Sequence, residues 1–203
     1  MPVALLPAVV ALLIFTSVGL LVSREWRWSI ALLAGQYFAA FWLVYLHWPL
    51  AMAAAKLITG WMAAAALGMT QINVNSSHPK TTEYRPGETS WPQGRVFRLF
   101  SAGLVLMAVF TTSRALTGWL PGVSLPDVTG SLILISLGLL HLGMTANPLR
   151  VTLGLLTVLL GFETLYAAIE NSILVAGLLS AITLGLALAG SYLVALNAPE
   201  ESA

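Results

Sequence analysis

The sequence predicts an all-α, polytopic membrane protein of about seven transmembrane helices, and three observations predict it. Of its 203 residues, 58% are hydrophobic and only 8% are charged, where a soluble domain carries about 25% charged residues. Several apolar runs exceed the roughly 18 residues that mark a spanning helix. Those runs do not alternate apolar with polar residues as barrel strands must. In lipid they therefore have to satisfy their own backbone groups as helices.

Helix 1 is predicted over 3–22, and no basic residue precedes its apolar run. It reads as a retained helix with a short outside end and not as a signal peptide. The cluster Arg24-Glu25-Trp26-Arg27-Trp28 follows, a charged and aromatic composition suited to a membrane–water interface. Helix 2 is predicted over 29–46 and ends at His47-Trp48-Pro49, where proline opens the next helix but cannot continue the last. Helix 3 is predicted over 50–69, so that 1–70 forms a three-helix unit. Residues 71–95 change composition to Asn, Ser, Pro, Thr, Gly and charges, and read as the one sizeable polar loop. The second unit, 96–197, holds helix 4 (96–117), helix 5 (127–144, closed by Asn147-Pro148), helix 6 (149–169) and helix 7 (172–196). A polar tail over 198–203 reads as frayed. Small residues such as Ala53-Ala54-Ala55, Ala63 to Ala66, Gly185 and Gly190 permit close helix approach, and ordinary bundle packing explains them.

Basic residues set the orientation. With seven helices, Arg24, Arg27, Lys80, Arg85, Arg95, Arg98 and Arg150 all fall on one side, while Arg114 alone lies near the other. The crowded side is predicted to be cytoplasmic, which puts the N-terminus outside, the C-terminus inside and the chain in the cell's inner (plasma) membrane. A net charge of +1 provides no basic patch for nucleic acid. The absence of cysteine excludes disulfides, thiolate zinc sites and cysteine-ligated clusters. There is no Gly-rich phosphate loop and no nucleophile–base pairing. His47, His78 and His141 are widely separated, which argues against haem. No catalytic site of its own and no cofactor or metal is expected.

What remains is a set of intramembrane ionisable residues, costly at roughly 2.5–3.5 kcal/mol each. Lys56 lies about two turns into helix 3. It is either a lysine snorkelling to the outer interface or a buried amine that takes up and releases a proton. Glu163 lies 13 residues after Arg150, or about 20 Å along a helix, where a lone carboxylate points to proton or ion transfer or to pairing with another subunit. Glu170, seven residues further, falls on the same helical stripe and otherwise reads as interfacial. His141 is a relay candidate or a hydrogen-bonded interface histidine. Tyr166 lies within reach of both glutamates, though aromatic packing is its plainer use.

The pattern resembles a family. Three N-terminal helices with a lysine in the third (Ala54-Ala55-Lys56-Leu57-Ile58), a polar loop and four further helices are similar to the component E membrane subunit of hydrogenase-4-type complexes. The segments Asn147-Pro148-Leu149-Arg150 and Gly161-Phe162-Glu163 make the second half resemble the K (4L) subunit of complex I and the C subunit of multisubunit sodium/proton antiporters. The resemblance implies that Lys56 and Glu163 belong to a chain of buried ionisable groups whose proton movement is coupled to redox chemistry in a peripheral arm. It implies antiporter-like membrane subunits, and lipids, as partners. The family usually carries a further acidic residue in its last helix; here Ser180 and Thr183 offer only hydroxyls. Two other classes compete: an accessory or scaffold subunit of another respiratory or photosynthetic complex, and a stand-alone small transporter. The first expects Lys56 and Glu163 to face loops or headgroups; the second expects internal repeats, and none is clear. An ion-translocating subunit expects both residues to face the bundle interior or a partner.

Overall fold

A computed structural model describes residues 6–23, 25–77, 94–120 and 122–197. Arg24, His78, Lys80, Arg85 and the tail 198–203 lie outside the described residues, as does most of the expected polar loop. The described residues form seven helices and no strand: α1 (Leu6–Val22), α2 (Trp26–Tyr45), α3 (Leu50–Ser77), α4 (Arg95–Thr117), α5 (Leu125–Gly143), α6 (Pro148–Ile169) and α7 (Ile173–Leu196). Six are long and apolar enough to cross a membrane, and α1 is a shorter apolar helix. The chain is an all-α, multi-pass membrane protein.

Two elements differ most from the sequence expectation, and α2 also begins three residues early, at Trp26. α3 continues to Ser77, eight residues past the expected end at Met69. Its 28 residues span about 42 Å against a hydrocarbon core of about 30 Å. The last two turns therefore reach the headgroup zone and beyond, where water serves polar side chains. Val74 packs there against the core, and Thr70 bonds back to the Ala66 carbonyl at 3.0 Å, so tertiary contact overrides composition. Asn147-Pro148, expected to close helix 5, instead opens α6. The Asn147 Oδ1 accepts from the Leu149 backbone N–H at 3.1 Å, and Pro148 occupies the first turn, where it has no N–H to leave unpaired.

Six helices form a ring in the order α1, α2, α3, α7, α6, α5, closing from α5 back to α1. Across it α2 packs on α6, which divides the ring into two groups of four, α2/α3/α7/α6 and α1/α2/α6/α5. α4 lies outside, against α5 and α1. A Cβ built on Gly161 would stand 2.8 Å from Ser131 O, Leu134 Cβ and Ile135 Cγ1. Glycine there lets α5 and α6 approach to backbone contact.

Basic side chains at one end tie α4 and α6 to the end of α1. The Arg98 Nη1 donates to the Leu21 carbonyl at 3.1 Å, and the Arg150 Nη2 to the Ser23 carbonyl at 2.6 Å. Both guanidinium groups thus satisfy carbonyls left open at the C-terminus of α1 and complement its negative dipole end. If that end is cytoplasmic, a cysteine replacing exposed Ser76 reacts with an impermeant maleimide from the inside only. A cysteine replacing Trp119, at the other end of the bundle, reacts from the outside only. The reverse pattern would overturn the orientation.

Candidate functional site

Lys56 lies six residues after the start of α3 and Glu163 six residues before the end of α6. The two helix termini lie at the same end of the bundle, so both residues sit about 9 Å in from it. That common level brings them together: the Lys56 ammonium forms an ion pair with Glu163 Oε1. Lys56 is 5% exposed and Glu163 2%, so the amine does not snorkel and neither charge faces a loop. Both point into the four-helix group α2/α3/α7/α6, whose remaining two helices also contribute. From α7, the Thr183 Oγ1 lies 3.2 Å from Glu163 Oε1 and 2.9 Å from the Leu179 carbonyl, so its single proton serves one acceptor at a time. From α2, the fully buried Tyr37 lines the same small cavity as Lys56 and Glu163. Each of the four helices thus brings one polar side chain to a common centre.

Local sequence explains the convergence. Gly60 follows Lys56 by one turn on α3, and a Cβ there would fall 2.0 Å from Tyr37 Cδ1. Glycine lets the Tyr37 ring lie directly on the α3 backbone beside the lysine stem. The rest of the cavity wall is Ala40, Phe41, Val44, Trp48, Leu57 and Leu160. Apolar walls keep the local dielectric low, which strengthens the pairing and makes it expensive to leave either charge alone.

The other sequence candidates lie elsewhere. Glu170 is the residue after α6, with an extended backbone (φ −135°, ψ 144°), and it is exposed. The seven-residue stripe breaks where the helix ends, so its carboxylate does not sit above Glu163. Its carbonyl does matter, since it accepts from Trp48 Nε1 at 3.0 Å and so holds the ring that walls the cavity. His141 is buried in the last turn of α5, against Gly154 of α6. Gly154 precedes Glu163 by nine residues, about 14 Å along the helix; the fold does not bring His141 to the pair. Tyr166 stacks on Phe162, with centroids 6.4 Å apart, which is the packing role expected.

No family model matches the sequence. No curated protein and no solved structure matches it either. The functional reading therefore rests on the four converging side chains.

Sequence reasoning missed three polar features. Tyr37 was one of several aromatic residues in helix 2. Beside it, fully buried Gln36 donates from Nε2 to Ser17 Oγ at 3.0 Å and lies 3.0 Å from Thr157 Oγ1 through Oε1. This is a second polar centre, in the group α1/α2/α6/α5. A glutamine inside an apolar run was the available signal, because such a group must find partners in lipid. The third feature is at the bundle end. Buried Asp127 Oδ2 lies 2.9 Å from His47 Nε2 and accepts from Ser124 Oγ at 2.6 Å. With the Trp48–Glu170 bond, it pins the turn between α2 and α3 at two consecutive residues.

Proposed function

We propose that this chain is a membrane-arm subunit of a redox-driven, proton- or sodium-translocating assembly of the complex I or hydrogenase type, and that Lys56 and Glu163 carry its ion-exchanging step. The observation that carries this reading is the buried Lys56–Glu163 pair held by four helices. A pair of opposite charges in lipid is not required to pack helices, since well-packed apolar residues do that at no desolvation cost. Its usefulness lies in its two states. Moving one proton from the ammonium to the carboxylate converts two charges into two neutral groups without changing the net charge, so a proton crosses between the two residues at small electrostatic cost. An accessory subunit with structural charges would place them at loops or headgroups, and this pair lies inside the bundle. Broad apolar faces on α4 and α7 suit contact with lipid and with other membrane subunits, antiporter-like ones by the family resemblance. The inner (plasma) membrane is the proposed location.

Lys56→Met tests the reading. Methionine keeps most of the stem volume but holds no proton. In membrane vesicles carrying the native assembly, redox-driven ion uptake is expected to fall about a hundredfold, the order contributed by a positioned proton-transfer group, while the complex still purifies with its other subunits. Unchanged uptake would make the pair structural and favour a scaffold role.

A further inference from the structure

Beyond the ion pair itself, three buried polar atoms around one cavity lack hydrogen-bond partners: Tyr37 Oη, Lys56 Nζ and Glu163 Oε2. The three residues are at least nine-tenths buried, and an unsatisfied polar atom in such a place is destabilising. The three residues line a cavity of about 10 Å³, the smallest space that admits a single water. A buried water is expected only where two to four polar partners converge. Here there are two donors, the ammonium and the phenol, and one acceptor, the second carboxylate oxygen, and the phenol oxygen accepts as well.

We propose that this cavity is a binding site for one water, and that Tyr37 is the residue that positions it, joined through that water to Lys56 and Glu163. The proposal rests on the reading of the pair as a proton-exchanging one. The water gives a proton to the Glu163 carboxylate as it takes one from the Lys56 ammonium, leaving water, a neutral carboxyl and a neutral amine. The Tyr37 phenol holds that water in place as donor or acceptor and stays neutral throughout. A monovalent metal cation is a poor occupant. The carboxylate is already shared by Lys56 and Thr183, the ammonium repels a second cation, and α3 and α6 run through this level as unbroken helices. Metal-ion sites in membranes instead recruit unwound backbone carbonyls. The geometry also explains why Gly60 is small: it seats the phenol ring on α3, beside Lys56 and against the cavity.

Infrared difference spectroscopy on the full-length protein in native lipid, within its assembly, tests this. Glu163→Gln assigns the Glu163 carboxyl band. In the wild type, a hydrogen-bonded water band is expected that shifts in ¹⁸O water. In Tyr37→Phe, which keeps the ring, that band is lost or moved and hydrogen–deuterium exchange at Glu163 slows about tenfold, the effect of one buried hydrogen bond. A wild-type spectrum without an ¹⁸O-sensitive water band overturns the water site, whether or not the variant folds. Exchange at Glu163 unchanged in Tyr37→Phe overturns the role of Tyr37. Neither outcome depends on ion uptake, so failure here is distinguishable from failure of Lys56→Met to abolish transport.

Discussion

Glu163→Leu is expected to destabilise the protein by about 3–5 kcal/mol, because it leaves the Lys56 ammonium buried without its counter-charge. Lys56→Met in the same chain is expected to restore most of that loss. The two substitutions together replace a desolvated ion pair by apolar groups of similar volume, an exchange that is often neutral or stabilising. The surroundings favour this outcome, since Leu57, Leu160, Val44 and Phe41 already line the cavity. Heat-induced unfolding in detergent, followed for the two single variants and the double variant, gives the interaction energy as the departure from additivity. Additive losses would mean that the two residues do not act as a pair in the folded protein.

Gly161→Val is expected to cost about 3 kcal/mol, the upper end for overpacking a close interface. Three atoms already stand 2.8 Å from the ideal Cβ position. Two belong to rigid parts of α5, the Ser131 carbonyl and Leu134 Cβ, so the helices must separate rather than one side chain swing aside. α5 and α6 form the most extensive helix pair, and Glu163 lies two residues further along α6. The variant should therefore both lower the thermal midpoint in the same unfolding measurement and weaken contacts across the ring. An unchanged midpoint would show that the α5–α6 contact tolerates a gap the packing does not predict.

The helices were legible because lipid leaves few alternatives: long apolar runs must be helical, and Pro49 marks the start of α3. The overrun of α3 was not legible, since Thr70–Gln71–Ile72–Asn73 reads as loop composition. Its helicity depends on Val74 reaching the core, which is a tertiary fact. Lys56 and Glu163 were each visible as charges in apolar segments. Their pairing follows from register, since each lies six residues from a helix terminus at the same end. Which helices adjoin is not written in the order of the chain, so Tyr37 and Thr183 could not be placed beside them. Glu170 leaves the stripe of Glu163 because α6 ends one residue before it, and it is exposed, as an interfacial residue is. Asp127 and His47, 80 residues apart, carry no local pattern that joins them.

The most direct test of the account is redox-driven proton uptake by membrane vesicles containing the native assembly with Glu163→Gln. Glutamine keeps the size of the side chain and a hydrogen bond to Thr183, but it cannot titrate. The account predicts an assembly of normal composition whose uptake falls about a hundredfold, with Glu163→Asp recovering part of it. Normal uptake by Glu163→Gln, alongside failure of Glu163→Ala to assemble, would contradict it and make Glu163 a structural hydrogen-bonding group.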